Sequence, residues 1–123
     1  MARRALDALA ASPNQKYLGT QQARALFQEG RGYLIENNAA QALPSLERSA
    51  QIYMDLQHPA SPNIARVKAA LGTCYLMLGN RQKSRDLLGQ SLSVMHAHKE
   101  LGDFYLRPVQ ELAGALVVAK VSQ

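Results

Sequence analysis

Few side chains in this sequence have a type and spacing that could do covalent or metal chemistry. His96 and His98 lie two residues apart in a stretch with helical periodicity. At that spacing the two imidazoles leave a helix in different directions and do not share an ion. Cys74 is the single cysteine, which excludes an internal disulfide and a thiolate metal cluster. It aligns with Gly32 and Leu116 in a tightly packed stripe and reads as a small buried filler rather than a nucleophile. No Cys/His/Asp arrangement, paired-carboxylate motif or phosphate-binding glycine loop accompanies it. The residues therefore predict no enzyme, no cofactor and no metal site.

Charge narrows the partners. The 123 residues include 14 basic and 9 acidic side chains, for a net charge of +5. The densest basic run, Arg81-Gln82-Lys83-Ser84-Arg85, opens a helical segment, where positive charge is mildly unfavourable. Nucleic-acid binding needs a basic stripe or an aromatic platform, and neither is visible. No apolar run approaches the roughly 18 residues of a membrane span. Leu6–Ala11 is too short, and too broken by Asp7, to act as a secretory core. One reduced-looking cysteine and no leader point to a cytoplasmic protein.

The elements that position these groups are helices. Apolar residues at 3- and 4-residue spacing mark segments over residues 3–10, 20–36, 39–56, 61–78, 81–99 and 103–121. Ser12-Pro13-Asn14, Asn37-Asn38, His58-Pro59, Gly79-Asn80 and Gly102-Asp103 punctuate them. Ser61-Pro62 is a strong helix start, with Ser as N-cap and Pro at the first helical position. Pro44 falls inside the third segment and predicts a late start or a bend there.

The helices repeat. Gly30, Gly72 and Gly114 share a 42-residue register. Ala23/Ala65, Arg24/Arg66, Tyr33/Tyr75, Asn38/Asn80, Leu46/Leu88 and Ser49/Ser91 keep the same spacing without gaps. A fixed period of this length means stacked supersecondary units. Glycine inside a helix is destabilising unless a close approach needs the space. The recurring glycines therefore predict tight helix–helix contacts, with Tyr33 and Tyr75 filling the gaps beside them.

Leu71-Gly72-Thr73-Cys74-Tyr75, Gly79-Asn80, Ser84, Leu88 and Ser91 resemble the tetratricopeptide repeat almost completely. Gly30, Tyr33, Asn37-Asn38, Ala42, Leu46 and Ser49 resemble it in an earlier copy, with Glu29 in place of the usual Leu. A third copy holds only a first helix, through Ala113-Gly114 and Val117. The long period, with Leu56-Gln57-His58-Pro59 between copies, is similar to the kinesin-light-chain-like subclass. The resemblance implies an all-α, right-handed helical solenoid of antiparallel helix pairs. Its parts would be an N-terminal helix and linker (1–19), two repeats (20–60 and 61–102) and a partial repeat or capping helix (103–123).

The resemblance also implies a function: a protein–protein interaction scaffold that binds a peptide or partner helix in a concave groove. First helices line such a groove. Arg24, Phe27, Gln28 and Arg31 would come from the first copy, Arg66, Ala69, Ala70 and Thr73 from the second, and Glu111, Leu112 and Ala115 from the third. Three arginines beside an apolar floor suit an acidic or carboxylate-bearing partner. The Lys/Asn constellation that clamps a terminal carboxylate in some members is not matched. One alternative is a self-association or regulatory segment of a larger bacterial-type signalling protein. Another is a basic nucleic-acid-associated domain. The last segment is apolar nearly all round, which predicts burial on more than one side. Leu112, Leu116, Val117 and Val118 are accordingly expected to pair in a homodimer.

Overall fold

The computed structural model of the chain describes residues 13–98 and 102–121, apart from the side chains of residues 103–105 and 117–121. The helix expected over residues 3–10 and the side chains of Val117 and Val118 lie outside the described residues. The described residues form five helices: α1 (Pro13–Ile35), α2 (Ala39–Leu56), α3 (Pro62–Met77), α4 (Arg81–Ala97) and α5 (Asp103–Val121). They pack as antiparallel pairs in a helical-repeat solenoid. α1 pairs with α2 and α3 with α4, while α5 lies mainly on α3.

Residues 13–19, expected as a linker, are instead the first turns of α1. Proline lacks an N–H that the first turn would leave unbonded anyway, so Pro13 starts a helix there rather than breaking one. Contact with α2 holds the extension: a Cβ on Gly19 would sit 2.6 Å from Leu56 Cδ1. Pro44 stays inside α2, as its sixth residue. Pro44 and Ala40, whose carbonyl loses the bond, are both exposed.

The repeat is reproduced in atomic detail. Asn38 and Tyr33 close the end of α1 through an N–H to carbonyl bond of 2.8 Å, and Asn80 and Tyr75 close α3 at 2.8 Å. The residues between them, Asn37 and Gly79, both take positive φ (62° and 90°). This is the left-handed turn that ends a helix and satisfies its last carbonyls. Asn38 and Asn80 then cap the next helices, accepting from Gln41 N at 3.3 Å and Lys83 N at 3.1 Å. Between copies, Ser61 caps α3 by accepting from Asn63 N at 3.3 Å. His58 is a linker residue whose Nδ1 accepts from Ala60 N at 3.0 Å. His98 Nε2 lies 3.0 Å from the Ala60 carbonyl and ties the end of α4 to that linker.

α3 is the central element and is buried on most sides. Ile64, Val67, Ala70, Leu71 and Cys74 join Phe27, Leu46 and Tyr53 in the larger core. Ala65 and Ala69 face the other way and join Met95, Val109 and Leu112. The small residues set the spacing. A Cβ on Gly30 would lie 2.5 Å from Leu46 Cγ, and one on Gly72 2.5 Å from Leu112 Cδ2. Gly114 differs: it is exposed, and a Cβ there would meet nothing within 4 Å. In the first copy Leu46 of the second helix covers this position; among the described residues nothing covers Gly114.

Candidate interaction groove

α1 and α3 touch only lightly, and α5 packs on α3. A recess of about 190 Å³ opens across these three first helices. Leu34 and Ile35 of α1 and Pro108 of α5 form its walls, and Ala70 and Thr73 of α3 its floor. Arg31 and Glu111 stand at its rim, bridging α1 and α5 through an ion pair of 3.7 Å. The pair is half-open to water, with 29% and 56% of the two side chains exposed. It therefore contributes little to stability and leaves the guanidinium reachable.

Phe27 organises the arginines. Its ring is buried, the Arg66 guanidinium lies 4.3 Å from its centroid, and that of Arg31 lies 5.9 Å away. Arg66 is well within cation–π range, and Arg31 lies at its limit of about 6 Å, so the ring holds the first more firmly than the second. Arg66 is itself only 4% exposed. Arg24, its counterpart one repeat earlier, is exposed, as is Gln28. Arg66 has Phe27 of the preceding copy beside it; among the described residues Arg24 has no such ring.

The expected groove residues thus fall into two groups. Arg31, Ala70 and Thr73 line the recess, with Phe27 and Arg66 stacked behind its rim. Ala69 is fully buried in the second core cluster, and Arg24 and Gln28 lie on the exposed side of α1. Leu34, Ile35 and Pro108 line the recess without having been singled out in the sequence. Ile35 carries the clearest signal in retrospect: it is an apolar residue at a helix end and is 82% exposed.

A family model described as Tetratricopeptide repeat matches residues 21–96, more than half of the chain. The chain belongs to the tetratricopeptide repeat family. A tetratricopeptide repeat protein of this kind is, in general, a module for protein–protein interaction. No curated protein and no solved structure matches this chain significantly. Among the described residues of this repeat protein, no group of three or more His, Cys, Asp or Glu is placed to hold a metal ion. None of their helices is long and apolar enough to cross a membrane.

The one cysteine is a packing residue. Cys74 is fully buried, and its thiol donates to the Ala39 carbonyl at 3.1 Å. Burial, and secondarily the charge of Glu47, pushes the thiol up to about 11. A thiol held protonated in this way is a poor nucleophile. His96 is exposed and His98 is engaged with the linker, so the two do not converge.

Proposed function

We propose that the recess across the first helices binds an acidic segment of a partner protein. The observation that carries the reading is the pairing of Arg31 with Glu111. A half-open guanidinium, held in place by the Phe27 ring, already receives a carboxylate at the rim of an apolar-walled recess. A partner carboxylate would take the same place through a charge-assisted hydrogen bond. Its neighbouring apolar side chain would rest against Leu34, Ile35 and Pro108. The 42-residue period and the His58-Pro59 linker support placing the chain with the kinesin-light-chain-like subclass. A peptide array tests the reading. Acidic sequences should dominate the peptides retained by the protein and disappear with Arg31→Glu. Retention independent of peptide charge would contradict it.

A second reading, self-association through α5, is favoured by the open position at Gly114. Ala113, Ala115 and Leu116, its neighbours in sequence, are half-buried. In the first copy the equivalent glycine is covered by Leu46. A two-fold dimer would supply a covering helix by the simplest closed symmetry. Sedimentation at micromolar concentration should show a dimer that Leu116→Glu dissociates. A wild-type monomer would remove this reading.

A further inference from the structure

The opposite side of the solenoid carries a second surface of different chemistry. The second helices α2 and α4 share no extensive contact. They flank a cleft of about 440 Å³ whose floor is α3. Leu71 and Tyr75 form that floor, and Met54 and Leu87 form the walls. α3 therefore serves both sides: Ala70 and Thr73 face the recess described above, whereas Leu71 and Tyr75 face this cleft. Met54 is 46% exposed. An unbranched thioether at the lip of a cleft adapts its shape to what enters. A single exposed apolar residue needs no explanation, but Met54 stands beside the buried Leu71 and the half-buried Tyr75 and Leu87 at one concave site.

The charges at this cleft run against the rest of the molecule. The chain as a whole carries +5. Yet Glu47 on α2 and Asp86 on α4 stand on opposite walls, both exposed, and neither is in an ion pair among the described residues. Asp86 accepts one hydrogen bond, from Gln82 of its own helix at 3.0 Å. The one cation at the mouth, Lys83, has its ammonium 4.8 Å from the centroid of the Tyr75 ring. The face of Tyr75 thus already holds a cation, in a cleft whose two carboxylates have no ion pair among the described residues. An acidic ligand would meet repulsion here. A ligand with cations beside an apolar side chain would meet an apolar floor, an aromatic face and two unpaired carboxylates.

We propose that this cleft docks a basic, apolar segment of a partner protein, with an apolar side chain between Met54 and Leu87 and flanking lysines or arginines against Glu47 and Asp86. The inference does not rest on the first-helix recess binding anything. If both surfaces are used, the domain joins an acidic segment on one side to a basic one on the other.

The test uses the full chain and a synthetic peptide in which leucines at helical spacing are flanked by lysines. A second peptide carries glutamates in place of the lysines. In isotope-edited NMR, the lysine peptide should shift Met54, Leu71, Tyr75 and Leu87 and leave Leu34, Ile35 and Thr73 unmoved. The double variant Glu47→Lys, Asp86→Lys alters two exposed side chains and should weaken that peptide by about tenfold or more. Arg31→Glu should leave its affinity unchanged. No saturable binding, equal binding of the two peptides, or shifts confined to the Arg31 side would each overturn the proposal.

Discussion

The Ser49 hydroxyl donates to the Ala23 carbonyl at 2.7 Å, fixing α2 against α1 inside the core. One period later the Ser91 hydroxyl reaches the equivalent Ala65 carbonyl at 2.9 Å, and shares its single proton with the Leu87 carbonyl of its own helix, also at 2.9 Å. Both serines are fully buried. A small hydroxyl here does two things: it allows the helices to approach, and it bonds a carbonyl of the neighbouring helix. Ser49→Ala and Ser91→Ala should each cost about 0.5–1.5 kcal/mol in urea unfolding, the net worth of a buried neutral hydrogen bond. Ser93→Ala, at an exposed position on α4, should stay within about 0.5 kcal/mol of wild type.

The glycines should separate by what covers them. At Gly72 a Cβ would lie 2.5 Å from Leu112 Cδ2 and 3.4 Å from the Ser84 backbone carbonyl, and Leu112 is fully buried. Gly72→Leu should therefore overpack the contact between α3 and α5 and lower stability by about 1–3 kcal/mol or more. Gly89 and Gly114 lie in helices with nothing within 4 Å of a notional Cβ. Alanine at either should raise stability, by up to about 1 kcal/mol, through helix propensity alone. Thermal melts of the three variants check the contrast. A stabilised Gly72→Leu would contradict the close packing.

Much of this fold was legible because the determinants are local and occur twice. Asn37-Asn38 and Gly79-Asn80 each supply a left-handed residue followed by an N-cap, so the turns and the following helix starts could be read directly. The beginning of α1 could not. Ser12-Pro13-Asn14 has the composition of a breaker, and the contact of Gly19 with Leu56 that favours helix lies far away in sequence. The site was legible in part for the same reason. Arg24 and Arg66 hold equivalent positions in the repeat, so sequence treats them alike. Only the packing of α1 beside α3 puts Phe27 under Arg66 and buries it. The back cleft left still less trace, because its walls come from two helices that share no extensive contact.

Cys74 gives a pH dependence. Its pKa rises from 9.0 to about 11 in the folded chain, chiefly through desolvation. The folded state thus holds the thiol proton more tightly than the unfolded state does. This contribution is fully present below about pH 9 and is lost as pH rises toward about 11. Stability measured across that window should fall more steeply for wild type than for Cys74→Ala. The folded protein should also resist alkylation at pH 8 and react once unfolded. Equal slopes together with rapid alkylation of the folded chain would contradict the buried, protonated thiol.

The ion pair at the recess makes an opposite-signed pair of predictions, and one titration reads both. A fluorescein-labelled peptide with glutamates flanking a leucine is titrated into wild type, Arg31→Glu and Glu111→Gln, with anisotropy as the signal. Arg31→Glu removes the receiving cation and should weaken binding by about tenfold or more. Glu111→Gln removes the resident carboxylate and should strengthen binding by about two- to fivefold, the worth of a half-exposed ion pair. Binding should be weaker in the first variant and tighter in the second. Equal affinity in all three proteins, or no binding to wild type, would contradict an acidic-segment site between Arg31 and Glu111.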